Sequence, residues 1–327
     1  MVDPSTPDLQ APTPSPVTAN EPSLRFDRVA IIGIGLIGSS LARVLRRDRL
    51  TGHIAVCARS HATLDVARDL GLADSTTTDP RQVVEGADLV MLCTPLGTYG
   101  AIAAAMAPGL RQGCIVSDVG SAKRCVIRDV GPHLPDGVHL VPAHPIAGTE
   151  HSGPTAGFAE LFRDRFCVLT PPPDTEPAAV ERVAALWRQA GMAVEILDAD
   201  HHDLVLAITS HLPHLIAYTI VGTATDLEEH LKAEVIKYSA GGFRDFTRIA
   251  ASDPVMWRDV FLTNREAVLE VLGRFSEDLA ALQRAIRWGE GDRLEDLFRR
   301  TREIRRGVVA ARQDQPETAK RDTPPSA

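Results

Sequence analysis

The sequence predicts an α/β protein with a doubly wound, mainly parallel sheet, followed by an all-helical domain. From Arg28 to about Leu197, short apolar runs alternate with helical stretches, which is typical of a parallel sheet covered by helices on both faces. After Asp198 only helical patterns continue. A glycine-rich turn directly after the first apolar run adds a nucleotide-binding signature of the Rossmann type.

The apolar runs define the predicted strands, which are Val29–Ile32, His53–Cys57, Leu89–Cys93, Cys114–Ser117, His139–Val141, Phe166–Leu169 and Ala193–Leu197. Helices are predicted from Asp200 to Val221, Leu227 to Ser239, Pro254 to Trp288 and Asp292 to Ala311. The domain prediction is a nucleotide-binding domain over 26–198 and a helical domain over 199–312. Disordered tails are expected at 1–25 and 313–327 because both are poor in apolar residues.

The helix predicted from Pro254 to Trp288 is the longest. Ser252 or Asp253 caps its start, and Gly289 ends it. At about 1.5 Å per residue it would be about 50 Å long, more than a small domain needs for its own core. We therefore expect the helical domain to bury surface against a second copy of the chain, forming a homodimer.

Composition excludes several classes of protein. The net charge of -8 over 327 residues argues against a nucleic-acid partner. The five cysteines form no CxxC pair, which predicts reduced thiols in a cytoplasmic protein. The longest uncharged stretch, Leu89 to Leu110, is interrupted by prolines and glycines, so no membrane association is expected. The first 22 residues hold six prolines and resemble no signal peptide.

The segment VAIIGIGLIGSSLARVL carries the first chemical motif. Gly33, Gly35 and Gly38 form G-x-G-x-x-G between a strand and a helix, which predicts binding of a dinucleotide pyrophosphate at the helix N-terminus. The predicted cofactor contacts are the three glycines and Leu36, Ile37, Arg59, Ser60, Thr94 and Pro95.

Two further motifs follow predicted strands and so reach the same edge of the sheet. SDVGSAK carries Ser121, which taken alone could be a helix cap. HPIAGTEHSG begins at His144 and contains too much proline and glycine for a helix or a central strand. An irregular backbone at this edge can direct side chains into the cofactor crevice.

The helical part carries two more motifs. In ITSHLPHLIAY, His211 and His214 are either buried structural residues, a metal pair or catalytic groups, and the metal alternative is the weakest because no carboxylate lies at ligand spacing. The neighbouring pair His201–His202 is predicted to lie on the surface. In YSAGGFRDFTRIAASDPVMWRD, arginines after a glycine break are commonly solvated, although a guanidinium also suits a substrate carboxylate.

Taken together, GIGLIG, GSAK, HPIAGTEHSG, SHLPH and GGFRDFTRIAASDPVMW resemble, in this order and spacing, the prephenate and arogenate dehydrogenases of tyrosine biosynthesis. The resemblance covers roughly residues 28 to 290. It implies a Rossmann domain followed by a helical dimerisation domain, with the active site between them. The implied reaction is the NAD(P)-dependent oxidative decarboxylation of prephenate to 4-hydroxyphenylpyruvate, or of arogenate to tyrosine.

The resemblance also implies residue roles. His144 would hydrogen-bond the ring hydroxyl of the substrate, and Ser121 would orient it near the nicotinamide. Arg248 would pair with the ring carboxylate, with His214 near the substrate. The remaining implied pocket residues are Thr149, Glu150, Gly241, Asp245 and Trp257, some of them contributed by the other subunit. No metal is implied.

Two alternatives compete with this interpretation. A β-hydroxyacid-type dehydrogenase shares the layout but uses a lysine on the interdomain helix, and no lysine lies between Lys123 and Lys232. A non-catalytic dinucleotide sensor would not need the full set of Ser121, His144, His214 and Arg248.

The cofactor preference rests on the end of the second predicted strand. An NAD-specific domain places Asp or Glu there for the ribose 2′-hydroxyl, whereas this chain has Ala58 followed by Arg59 and Ser60. We therefore expect NADP to be accepted, with a moderate preference over NAD. Arg59 stacking on the adenine would instead serve either cofactor.

Overall fold

The computed structural model describes residues 25–149, 151–226 and 241–310. Its first part is built on a six-stranded sheet in the order β3-β2-β1-β4-β5-β6, and every pair in it is parallel. The strands are β1 (Phe26–Ile32), β2 (Thr51–Cys57), β3 (Ser75–Thr77), β4 (Leu89–Leu92), β5 (Ile115–Asp118) and β6 (His139–Val141). The order reverses between β1 and β4, which creates the crevice where such folds bind ligands.

The last two predicted strands lie in a separate sheet, which differs from the expectation of one continuous sheet. This three-stranded sheet consists of β7 (Ala143–Pro145), β8 (Arg165–Leu169) and β9 (Met192–Ile196). The sequence motif that begins at His144 therefore starts as a short edge strand, antiparallel to β8. A proline is tolerated there because an edge strand leaves one side unpaired.

Helices cover both faces of the large sheet and enclose two apolar clusters, one on each face. The helices of this part are α1 (Leu36–Arg47), α2 (His61–Asp69), α3 (Pro80–Val84), α4 (Tyr99–Met106), α5 (Arg124–Val130) and α6 (Pro177–Gln189). Their apolar faces pack on strands that are themselves apolar on both sides. The α/β class and the doubly wound arrangement are confirmed.

The second part is helical throughout its described residues. Its helices are α7 (Ala199–Leu206), α8 (Leu212–Thr225), α9 (Gly241–Thr247), α10 (Pro254–Thr263), α11 (Arg265–Trp288) and α12 (Gly291–Ala310). One π-helical turn, Ala207–His211, joins α7 to α8. Pro213 follows this turn, and since proline has no N–H to give to the preceding turn, regular α-helical bonding is interrupted there. The predicted helix from Leu227 to Ser239 and both predicted tails lie outside the described residues, apart from residue 25.

The prediction of one long helix from Pro254 to Trp288 is wrong at Asn264. That residue separates α10 from α11 with a backbone angle ψ of 28°, and its buried amide nitrogen donates to the Asp203 carbonyl at 2.8 Å and lies 3.1 Å from Nδ1 of His211. These bonds stabilise a break that apolar periodicity alone does not reveal. Asp253 caps α10 as expected, accepting from the backbone N–H groups of Val255 and Met256.

Candidate active site

A crevice of about 440 Å³ lies between the two parts, at the carboxyl ends of β1, β4 and β5. From the nucleotide-binding part it is lined by Gly35, Cys93, Gly120, Ser121 and His144 among others. The opposite wall comes from the helical part and consists of Ser252, Asp253, Val255, Met256 and Val260. The crevice therefore joins the predicted cofactor motif to both predicted catalytic residues, Ser121 and His144.

The three fingerprint glycines have different geometric roles. Gly33 has φ of +98°, and a Cβ there would lie 2.6 Å from the Cys93 carbonyl oxygen. A Cβ on Gly38 would overlap the Gly33 carbonyl oxygen. At Gly35 a Cβ would meet nothing within 4 Å and would project into the open crevice. A pyrophosphate can therefore approach the backbone at Gly35 and the N-terminus of α1, which fits a dinucleotide.

A neighbouring cavity of about 420 Å³ continues from the crevice along the end of β2. Arg59, Thr94 and Pro95 line both spaces, so the two are adjacent. Ala58 and Thr78 lie in this second cavity, whereas Ser60 lines neither space and is exposed at the start of α2. The cavity has the position expected for the adenosine half of a dinucleotide.

The helical part closes over this cavity through Asp259. Its carboxylate accepts the Gly97 N–H at 3.2 Å and pairs with Arg258 at 2.6 Å. A Cβ on Gly97 would lie 2.8 Å from the same carboxylate, so glycine is needed for this approach. The two parts thus contact each other directly beside the predicted cofactor site.

His144 is buried at the wall of the crevice, with 6% of its surface exposed. Its Nδ1 lies 2.9 Å from Nε2 of His202. Burial holds the pKa of His144 well below its usual value, and the nearby His202 and Lys123 lower it further. The imidazole is therefore neutral at physiological pH, which is the state that can accept a proton.

The prediction that His201 and His202 both lie on the surface is wrong for His202. His201 is exposed, but His202 is fully buried and contacts both His144 and Asp203. Adjacent helical residues point about 100° apart, so one side chain of the pair faces solvent and the other the interior. A stripe at four-residue spacing, from Asp203 through Ala207 to His211, is buried beside it and is the sequence signal that identifies this face.

A buried ion pair between Lys123 and Asp118 fixes the backbone next to His144. Lys123 Nζ donates to Asp118 Oδ2 and to the Ala143 carbonyl, both at 2.6 Å. Asp118 Oδ1 accepts the Ala143 N–H at 3.1 Å. Because both backbone groups of Ala143 are held, the position of the next residue, His144, is fixed. Lys123 had no predicted role beyond its place in the GSAK motif.

The two histidines of the SHLPH motif lie against Trp257. His214 stacks on the indole with ring centroids 3.6 Å apart, and His211 meets it edge-on at 6.0 Å. Burial lowers the pKa of His211 to about 4, against the opposing effects of Asp203 and the Ser121 carbonyl. His214 Nδ1 faces the Ser210 carbonyl at 2.8 Å. Trp257 is thus a packing platform that positions His214.

The remaining predicted substrate residues are less enclosed. Thr149 lines the crevice, whereas Gly241 and Asp245 lie on α9 and do not line it. Arg248 is exposed, yet its charge lies close enough to His214 to lower the pKa of that imidazole. Glu150 lies outside the described residues.

Several crevice residues were not predicted. His151, Ser152, Ser252, Asp253, Val255 and Met256 all line it. The first two belong to HPIAGTEHSG and could have been included from their position in that motif. The other four residues face the nucleotide-binding part because α10 packs against it. Local sequence patterns do not predict this long-range contact.

Comparisons with known proteins agree with this arrangement. Residues 41–196 match the family model "Prephenate dehydrogenase, nucleotide-binding domain", and residues 198–300 match "Prephenate dehydrogenase, dimerization domain". The chain is 44% identical over 280 residues to the cyclohexadienyl dehydrogenase of Zymomonas mobilis, covering 86% of this chain and 95% of the relative. It is 32% identical to the prephenate dehydrogenase of Bacillus subtilis, covering 84% and 73% of the two chains.

A solved structure gives the same result. The prephenate dehydrogenase of A. aeolicus, in complex with hydroxyphenyl propionate and NAD+, is similar with a TM-score of 0.79 and 34% identity. The similarity covers 88% of this chain and all of that one. The crevice geometry, the two matched domain models and these relatives show that this chain belongs to the prephenate dehydrogenase family of oxidoreductases.

Proposed function

We propose that the chain catalyses the NAD(P)-dependent oxidative decarboxylation of prephenate, arogenate or both, in tyrosine biosynthesis. The observation that carries this proposal is that one crevice joins Gly35, at the predicted pyrophosphate site, to Ser121 and His144. The relative from Zymomonas mobilis is named for cyclohexadienyl substrates as a class, and the similar solved structure holds NAD+ and a hydroxyphenyl compound.

His144 acts as the proton acceptor. When bound, NAD(P)+ would supply the acceptor for the hydride that leaves the carbinol carbon of the substrate ring. The hydroxyl on that carbon must lose its proton at the same time, and a neutral buried imidazole at the crevice wall is suited to take it. Ser121, on the same wall, orients the hydroxyl towards His144.

The decarboxylation half of the reaction needs no further acid. Loss of CO2 from the opposite ring carbon makes the ring aromatic, so the chain needs only to hold the carboxylate. Arg248 is proposed for this contact because a guanidinium can bind a carboxylate through two parallel hydrogen bonds. Its charge lies near His214, which Trp257 holds in place. Thr149, which lines the crevice, and Glu150 are proposed to contact the substrate. Gly241, Asp245 and Trp257 do not line the crevice of the single chain and are proposed to shape or support the pocket, partly from the other subunit.

The cofactor is proposed to be NADP or NAD, with NADP moderately preferred. Arg59 lines both cavities at the end of β2, where a 2′-phosphate would lie, and Ala58 stands where NAD-specific domains carry a carboxylate. Specificity constants for both cofactors in wild type and Arg59→Ala test this. Selective loss of NADP use in the variant supports the proposal, and a preference for NAD that survives it contradicts it.

The working form is proposed to be a cytoplasmic homodimer. All five cysteines are free, which suits a reducing compartment.

Apolar side chains remain exposed along α11 and α12, including Leu279, Ile286, Trp288 and Phe298. The helical run Ala199–Thr225 is long and apolar enough to cross a membrane, yet it carries the buried His202 and Asp203. We assign its exposed apolar surface to contact with the second subunit, and light scattering that gives a monomer mass would contradict this.

A direct assay tests the proposed function. Purified full-length protein is mixed with prephenate or arogenate and with NAD or NADP, and reduced nicotinamide is followed by absorbance. Formation of reduced cofactor with at least one substrate supports the proposal. Binding of cofactor without turnover of either substrate would instead indicate a dinucleotide sensor.

A further inference from the structure

His144 is the first member of a buried chain of three side chains. Its Nδ1 lies 2.9 Å from Nε2 of His202, and Nδ1 of His202 lies 2.8 Å from Oδ1 of Asp203. All three are buried, with exposed fractions of 6%, 0% and 1%. The chain joins the two parts of the molecule, because His144 lies on β7 and the other two residues lie on α7.

The direction of each hydrogen bond follows from Asp203. Its carboxylate already accepts the backbone N–H groups of Lys123 at 2.7 Å and Arg124 at 3.0 Å. An ionised carboxylate only accepts hydrogen bonds, so His202 must carry its proton on Nδ1. Burial keeps His202 neutral by lowering its pKa, which leaves its Nε2 as an acceptor. His144 must then donate from Nδ1, and its Nε2 is left with a lone pair for the crevice.

We propose that Asp203 and His202 are positioning residues that hold His144 in the Nδ1–H tautomer and take up the positive charge that forms when His144 accepts the substrate proton. This inference rests on the proposed function, in which His144 is the proton acceptor.

The protons balance along this chain. The substrate O–H bond breaks, and its proton binds Nε2 of His144. The proton on Nδ1 of His144 moves to Nε2 of His202, so His144 becomes neutral again with its proton on Nε2. His202 then carries protons on both nitrogens and is positively charged, hydrogen-bonded to the Asp203 carboxylate. The reverse transfer restores the starting tautomers when the proton leaves to solvent.

The surrounding charges explain why the positive charge is better placed on His202. Lys123 and His211 both lie near His144 and disfavour a charge there. His202 also feels Lys123, but Asp203 and Asp118 offset it. The only carboxylate in direct contact with either imidazole, among the described residues, is Asp203 on His202. The second histidine thus moves the charge from a site without a counter-ion to a site with one.

Two substitutions at His202 separate the two roles. In His202→Gln the amide oxygen can still accept from His144 Nδ1–H but cannot take up a proton, so the tautomer is kept and the charge transfer is lost. His202→Leu removes both. We expect kcat to fall about tenfold in His202→Gln and on the order of 10²–10⁴-fold in His202→Leu, the range for loss of a general base. Cofactor affinity and the substrate KM should change by less than about threefold, because His202 lines neither the crevice nor the neighbouring cavity.

His201→Gln is the matched control, since it makes the same change on the exposed neighbour and should leave kcat unchanged. Equal losses of kcat in His202→Gln and His202→Leu, accompanied by weaker cofactor binding and a lower Tm in both, would overturn the relay in favour of a purely structural role. Full activity in His202→Leu would overturn it as well.

A measurement on the wild-type enzyme does not depend on activity. Nitrogen-15 NMR of histidine-labelled protein distinguishes Nδ1–H from Nε2–H imidazoles, and the His144 signals can be assigned by their absence in His144→Asn. We expect the Nδ1–H tautomer at both His144 and His202. An Nε2–H tautomer at His144 would overturn the inference even if the enzyme turns over prephenate. The expected tautomers in a protein that turns over neither substrate would reject the proposed function and leave the hydrogen-bond chain intact.

Discussion

The two walls of the crevice are built very differently. On the nucleotide-binding side, His144 is buried and its neighbours Asp118 and Lys123 are fully enclosed, with every contact between 2.6 and 3.1 Å. On the helical side, Arg248 and Asp245 are exposed. The groups that would handle the proton are therefore completely assembled within one chain. The groups that we propose hold the substrate are exposed to solvent in the single chain.

This difference separates two physical requirements. A proton acceptor must be kept neutral and oriented before the substrate arrives, so it is fixed by buried hydrogen bonds. A carboxylate contact can form as the substrate binds, so an exposed arginine is sufficient. The exposed apolar side chains on α11 and α12 form the surface that we propose a second subunit covers.

The largest effect on activity is expected on the buried wall. His144→Asn should lower kcat on the order of 10²–10⁴-fold, the usual range for loss of a general base, and leave cofactor binding nearly unchanged. Steady-state kinetics and cofactor titration measure the two quantities. Retention of full kcat would remove His144 from the mechanism.

The largest effect on the free energy of unfolding is expected at the buried ion pair between Lys123 and Asp118. Lys123→Met leaves Asp118 buried without its partner, and breaking such a pair costs about 3–5 kcal/mol of unfolding free energy. The neighbouring Arg124→Ala removes half-exposed ion pairs with Asp200 and Glu266 and should cost less than about 1 kcal/mol. Chemical denaturation measures the free energy of unfolding of both variants. An equal loss of unfolding free energy in the two would contradict the expected difference between buried and exposed ion pairs.

The exposed wall should respond mainly in KM. Arg248→Gln should raise the substrate KM about tenfold, which corresponds to the lower end of the free energy that a hydrogen bond to a charged group contributes. The kcat should change little, because the contact is present in both the ground state and the transition state. Arg244→Gln, on the preceding helix and exposed, is the matched control. An unaltered KM in Arg248→Gln would mean that the carboxylate pairs with another group.

The smallest effect is expected in the pH profile. Burial holds the pKa of His144 below its usual value of about 6.5, so the neutral base persists as pH falls through that value. The rate constant kcat/KM for the free enzyme should stay level down to about pH 6.5 and decline only below it. An acid limb centred above about pH 6.5 would contradict the buried, neutral His144.

Local patterns predicted most of the nucleotide-binding part. Gly33 and Gly38 were predictable because a Cβ at either position would clash with neighbouring backbone atoms, and Gly35 was predictable because a pyrophosphate must approach its backbone closely. Long-range contacts were not predictable in the same way. The break at Asn264 depends on bonds to Asp203 and His211, which are distant in sequence. His202 was misplaced because two adjacent histidines look equally polar until the buried face of α7 is identified.

The most direct test of the central claim is the stoichiometry of a single reaction. Wild-type enzyme is given a limiting amount of prephenate with excess NAD or NADP, and reduced cofactor, CO2 and 4-hydroxyphenylpyruvate are measured together. We expect equal amounts of all three products, because the proposed reaction couples hydride loss to decarboxylation. Reduced cofactor formed without CO2, in the manner of a β-hydroxyacid-type dehydrogenase, would contradict it.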